Sequence, residues 1–164
     1  KLGVGATVFL STAGVTASLS GCSSPTAAPG FSVLRASDLP FLQAAIPVML
    51  EGATAAVALK NAVDATLHSL DSGLARLSPE MLKLTQQLFD VLAMAITRGP
   101  LTGIWGRWES ADAEQIRHFL SRWQNSSLNL LRQGHGSLLQ LVLMAWYSRA
   151  ESWAACRYPG PPKI

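Results

Sequence analysis

The most definite chemistry in this chain belongs to a cysteine. Cys22 ends the run Leu19-Ser20-Gly21-Cys22. A small residue at Gly21 leaves room for a peptidase to cut, the Cys22 thiol can take a diacylglyceryl thioether, and the freed amine can then be acylated. The pattern reads as a bacterial lipoprotein cleavage site, making residues 1–21 a signal peptide and lipidated Cys22 the point of membrane attachment. The stretch before it, Leu2 to Leu19, carries no charge but is rich in Gly, Ala, Thr and Ser. It is milder than a stable transmembrane helix, which wants about 20 predominantly apolar residues. That mildness suits a twin-arginine leader, with Lys1 as the basic residue that follows an Arg-Arg-x-Phe-Leu pattern in an n-region expected before it. An ordinary Sec lipoprotein leader and an uncleaved anchor are the competing readings.

Beyond Cys22 the chemical inventory is thin. The three imidazoles, His68, His118 and His135, show no H-E-x-x-H spacing, and no C-x-x-C or C-x-x-C-H run occurs, which excludes covalent haem. There is no G-x-S-x-G elbow, no P-loop, and no G-x-G-x-x-G following a strand. A Ser/His/Asp set assembled from distant positions leaves no local signature. Each His is read as a surface or capping residue, and no catalytic residue, metal site or cofactor site is assigned. With Cys22 committed to lipid, Cys156 has no partner for an intramolecular disulfide. It is expected to be buried or shielded at an interface, with an intermolecular disulfide and a reactive thiol as the alternatives.

The positions that could carry function must be held by the rest of the chain. Residues 22–164 have the length of one domain, and with 49% hydrophobic and 14% charged residues the chain can bury a real core. Thirteen basic against ten acidic residues, dispersed, is too slight an excess for a nucleic-acid binder. Residues 22–36 begin with the Pro/Gly/Ser-rich run Cys22 to Ser32 and read as an unpacked tether. Residues 37–164 read as a helical domain with an extended Pro/Gly tail.

No strand alternation persists, so the class is all-α, an irregular bundle of about five helices. Ser37 and Asp38 start the first, with Pro40 in its first turn and Pro47 expected to kink or divide it. Leu59, Val63, Leu67, Leu70, Leu74 and Leu77 make one stripe on a long second helix, with Gly73 as a candidate break. Ser78-Pro79-Glu80 is an N-terminal signal for a third. Its core face is expected at Met81, Leu84, Leu88, Val91 and Ala95, and its end at Gly99-Pro100. After a Gly-rich loop holding Trp105 and Trp108, which are not expected both to lie exposed, Ser110 is expected to cap a helix with core residues Ile116, Phe119, Leu120, Trp123, Ser127 and Leu130. Gly134 and Gly136 are expected to make a turn, and Ser137 to cap a last, centrally buried helix.

Two surfaces stand out. His118, Arg122, Asn125, Asn129 and Arg132 recur at helical steps, and no acid lies between Glu114 and Glu151. This is a solvated helix face, a docking face for an acidic partner, or a face for anionic lipid headgroups, the last weakened by the absence of a dense Lys cluster. The second is the tail: Trp146, Tyr147, Trp153, Tyr158, Pro159, Gly160 and Pro161 put four aromatics beside a rigid terminus. Trp146 and Trp153 would share a face if the helix continued. These residues either close the bottom of the bundle or form a protein interface.

The run Arg-His-Phe-Leu-Ser-Arg-Trp-Gln-Asn-Ser at 117–126, Ala-Trp-Tyr at 145–147, Trp153 and Tyr-Pro-Gly-Pro-Pro at 158–162 resemble the gluconate 2-dehydrogenase subunit 3 family. The resemblance covers most of the chain after Cys22 and is sharpest from Arg117 to Pro162. It implies a small, non-catalytic, exported partner of a flavoprotein of the glucose-methanol-choline oxidoreductase type. Such a partner brings the FAD-dependent dehydrogenase large subunit through the twin-arginine route to the periplasmic side of the cell envelope. It further implies FAD in the partner, no cofactor in this chain, and a cytochrome electron acceptor as a further member of the complex. A stand-alone helical lipoprotein, binding an apolar ligand or serving the envelope structurally, is the alternative.

Overall fold

The computed structural model describes residues 26–54, 58–154, 156–160 and 162; the leader, Cys22 and Pro161 lie outside the described residues. The described residues are all-α. Seven α-helices follow in order: α1 Leu39–Met49, α2 Leu59–Leu74, α3 Pro79–Ala93, α4 Ala95–Thr102, α5 Ala113–Gln124, α6 Asn129–Tyr147 and α7 Ala150–Trp153. A 3-10 turn, Trp108–Ser110, precedes α5. The count exceeds the five expected because two helices break where the periodicity runs on.

The first break is at Met94, whose extended backbone ends α3. Thr97 stitches the corner by donating its hydroxyl to the Val91 carbonyl at 2.7 Å. Gly99 and Pro100 therefore lie inside α4, and Gly103, left-handed at φ 85°, terminates it. The second break, at Ser148 and Arg149, separates α6 from α7. Pro47 divides nothing: it falls in the last turn of α1, which stops two residues later. Gly73 lies within α2 beside open space and does not interrupt it.

The sequence stripe of α2 is its core face, with Val63, Leu67, Leu70 and Leu74 all buried. In α3 the expected face is the wrong one. Ser78 does cap the helix, accepting from the Met81 amide, but Met81 and Leu84 are more than half exposed, and Thr85, Phe89 and Leu92 are buried instead. Both faces of α3 repeat apolar residues at three- and four-residue steps, and Phe89 decides between them by packing edge-on against Phe41 at 5.1 Å. That contact opens a chain of rings, Phe41 to Trp108, Trp108 to Phe119 and Phe119 to Trp123, with centroids 5.1–6.1 Å apart. It ties α3, α1, the 3-10 turn and α5 into one core. Fully burying each such side chain contributes about 1.5–3 kcal/mol.

Asp112, not Ser110, caps α5, in a reciprocal box with Gln115. Leu130 is not part of its core face, since α5 ends at Gln124 and Leu130, 78% exposed, belongs to α6. Nor do Gly134 and Gly136 make a turn, because α6 runs straight through them. A Cβ on Gly134 would lie 2.8 Å from the Trp123 ring, so this glycine serves close packing.

The expected tether 22–36 is corrected over its described part. Ala28 and Leu34 are buried, and the Ala28 amide donates to the Leu34 carbonyl at 2.8 Å. The cause is Asp71 on α2: its nearly buried carboxylate accepts from the amides of Ser32, Val33 and Leu34, each at 2.8 Å. Burial alone would raise its pKa, but the three donors, with a smaller contribution from nearby His68, hold it below the ordinary aspartate value. Phe31 stacks on His68 at 4.8 Å. Arg35 then reaches Asp38 through two nitrogens and Asp90 of α3 at 2.8 Å, with Arg35 and Asp38 both buried. A Pro/Ser composition did not reveal that partners elsewhere in the chain would seize its backbone.

Candidate partner-docking site

The tail is organised by the end of α7. Tyr158 donates its amide to the Trp153 carbonyl at 3.0 Å, and Arg157 donates to the Ala154 carbonyl at 3.2 Å. With Arg157 left-handed at φ 54°, this is a Schellman closure built without its usual glycine. The closure turns the chain back so that the Tyr158 ring meets Trp153 edge-on, centroids 5.5 Å apart. Gly160 lies over the same indole, where a Cβ would be 3.0 Å from the ring. The Trp153 indole N–H donates to the Tyr147 carbonyl at 3.1 Å and fixes α7 against the end of α6.

Three of the expected interface residues, Trp153, Tyr158 and Gly160, thus form one cluster, and a fourth, Tyr147, is tied to it through its backbone carbonyl. Pro159, exposed, lies between Tyr158 and Gly160 in the folded-back strand of chain. Tyr147 and Tyr158 present their rings to solvent at 46% and 48% exposure. Trp146 does not join them. It is buried with Leu138, Val142 and Ala145 in the core face of α6, since the break at Ser148 and Arg149 prevents it from sharing a face with Trp153.

Arg122 and Arg132 lie elsewhere. Arg132 precedes Tyr147 by fifteen positions on α6, about 22 Å at the helical rise of about 1.5 Å per residue. Arg122 donates to the Pro100 carbonyl at 3.2 Å, and Arg132 to the Ser126 carbonyl and the Asn129 side chain. Neither has a carboxylate partner among the described residues, unlike Arg117 with Glu51 and Glu114 or Arg149 with Glu151. The two candidate surfaces are therefore separate.

Sequence reasoning missed what joins the cluster to the rest of α6. A shallow apolar trough lined by Gly136, Leu139, Gln140, Leu143, Met144 and Tyr147 runs along the helix to the aromatic cluster. The helix was expected to be buried all round, yet Met144 is 65% exposed. Gln133, Gly136 and Gln140, at three- and four-residue steps, were the available sign of an outward face. Cys156, expected to be buried or shielded, is exposed beside the cluster's backbone.

His135, half-buried on α6, has its pKa lowered by burial. Among the described residues no group of His, Cys, Asp and Glu could hold a metal ion, and no helix is long and apolar enough to cross a membrane. No protein-family model matches the chain, and no curated protein or solved structure matches it.

Proposed function

We propose that this chain is a non-catalytic accessory subunit, lipid-anchored through Cys22 on the periplasmic side of a bacterial envelope, that escorts and holds an FAD-dependent dehydrogenase. The observation that carries the reading is the convergence of Tyr147, Trp153, Tyr158 and Gly160. They are scattered through the segment that resembles the gluconate 2-dehydrogenase subunit 3 family, yet Tyr158 and Gly160 pack on the Trp153 ring and the Tyr147 carbonyl holds its indole, with both tyrosines half-exposed. Aromatic residues with a polar tip are the side chains that protein interfaces enrich, and a pre-folded tail loses little entropy on docking. The trough along α6 extends that surface with flexible Met and Leu side chains. On this reading the flavin belongs to the partner and the chain supplies position and export.

The test is purification from membranes of cells that make both proteins, followed by an absorbance spectrum. A bound flavoprotein gives a flavin spectrum in proportion to the chain; a colourless chain purifying alone overturns the reading. Deleting residues 158–164 should keep the helical content while the partner is lost. Truncating a central interface aromatic costs about 2 kcal/mol or more, roughly thirtyfold in affinity. If the truncated chain melts normally and keeps its partner, the tail is not the docking surface.

A further inference from the structure

Where the C-terminal parts of α4 and α5 meet the start of α6, three of the five most exposed large apolar side chains among the described residues share one end of the bundle with Arg122 and Arg132, which have no carboxylate partner among the described residues. Trp105 is 78% exposed, Leu128 61% and Leu130 78%. Trp123 joins the three elements from beneath, its indole N–H donating to the Leu101 carbonyl at 2.8 Å and its ring lying against Gly134. Trp105 lies over Gly99 of α4, and Arg122 reaches Pro100 and Gly103 on the same helix and its cap. Arg132 folds back onto the turn that carries Leu128.

We infer that this end of the bundle is a bilayer-facing surface that rests on anionic lipid, with Trp105, Leu128 and Leu130 entering the headgroup layer and Arg122 and Arg132 meeting phosphates. From Gln115 to Ala150 the sequence holds four Arg and no acid, and only Arg117 and Arg149 spend their charge on carboxylates. The acid nearest on α5, Glu114, is engaged by Arg117 at 2.8 Å. The Arg122 and Arg132 guanidinium groups, hydrogen-bonded to neutral oxygens but not to carboxylates, keep their charge for phosphate oxygens, while Trp is the side chain favoured at the headgroup level. Leu128, the N-cap of α6, and Leu130 in its first turn stand exposed at the helix start, which suits a fluid phase that closes around them.

The inference rests on the lipid-anchored part of the reading above, under which the domain is held at a bilayer surface. A second copy of this chain is disfavoured as occupant, because a two-fold contact on this patch would set the same arginines near one another.

The experiment uses residues 22–164, the chain after leader removal, with Cys22→Ala, so that neither an acyl group nor the apolar leader supplies the binding. It measures co-sedimentation with vesicles of phosphatidylcholine alone and of an equimolar mixture with phosphatidylglycerol. Binding is expected to the anionic vesicles only, weakening with salt. Arg122→Gln and Arg132→Gln should each lower partitioning about fivefold, the equivalent of about 1 kcal/mol per basic residue at an anionic surface. Leu128→Ser with Leu130→Ser should lower it about tenfold or more, and the blue shift of tryptophan emission on binding should disappear in Trp105→Phe. Lys60→Gln, which removes an exposed charge on α2, should change partitioning little. No binding to anionic vesicles at low salt, or an equal loss from Lys60→Gln, overturns the inference. So does self-association abolished by Leu130→Ser, or loss of the flavoprotein with vesicle binding intact in the leucine variant. Because the tested chain is unlipidated, a negative result leaves the lipidation of Cys22 and the escort role standing.

Discussion

Asp71→Asn isolates the contact that folds the N-terminal segment onto the bundle. The substitution keeps the shape and keeps one acceptor oxygen toward Val33 and Leu34, but it turns an amide donor toward the Ser32 N–H. An orphaned donor costs about 1–3 kcal/mol, toward the low end here because Ser32 is exposed and water can reach it. Two charge-assisted bonds become neutral ones at about 0.5–1 kcal/mol each, for a total near 2–3 kcal/mol. For a domain of this size that lowers Tm by about 10 °C. The pH dependence follows from the lowered pKa of Asp71. Its stabilisation is complete above the ordinary aspartate value of about 3.9 and is lost as pH falls through the lower folded value, since the unfolded chain takes up the proton first. Glu51, held low by its hydrogen bonds from Arg117, and Glu109, held low by its own backbone amide and Arg107, are common to both proteins and cancel in the difference. Urea melts between pH 7 and pH 3 should therefore show a gap between wild type and variant that is constant down to about pH 5 and narrows below about pH 4. Hydrogen exchange should locate the loss at the amides of residues 32–34. A gap below about 1 kcal/mol at pH 7, or one that does not shrink in acid, would refute the reasoning.

Gly134→Ala should cost about 1–3 kcal/mol in thermal or urea melts, because the new Cβ meets the buried Trp123 ring at 2.8 Å, whereas Gly136→Ala, facing open space, should stabilise by about 0.5–1 kcal/mol. Arg35→Ala leaves Asp38, 1% exposed, without its cation and should destabilise by about 3–5 kcal/mol, and adding Asp38→Ala should recover part of that loss. Arg157→Val places a β-branched residue at φ 54° and should open the tail at a cost of about 1–2 kcal/mol, seen as faster exchange at the Tyr158 amide, while Arg157→Gly should close it more firmly.

The sequence by itself determined the helical class, the stripe of α2, the proline-and-serine start of α3 and the aromatic content of the tail. These are local properties: a 3.6-residue repeat, a capping hydroxyl and a fixed proline φ are written in neighbouring residues. Only the tertiary structure decided which face of α3 is buried, since two apolar series compete there and Phe41 selects Phe89 over Met81 and Leu84. It also decided that Gly134 and Gly136 sit in mid-helix, because the first makes room for a ring from α5. It decided that the Pro/Ser segment packs, because a carboxylate nearly forty positions away collects three of its amides. At the candidate site, the aromatic and proline content was legible, but its sorting between core and surface was not. Trp146 went to the core and Trp153 to the surface cluster because Ser148 and Arg149 broke the helix between them. Outside proline, local sequence sets propensities of at most about 1 kcal/mol per position, while burying one aromatic side chain is worth about 1.5–3 kcal/mol, so long-range packing settles each choice the pattern leaves balanced.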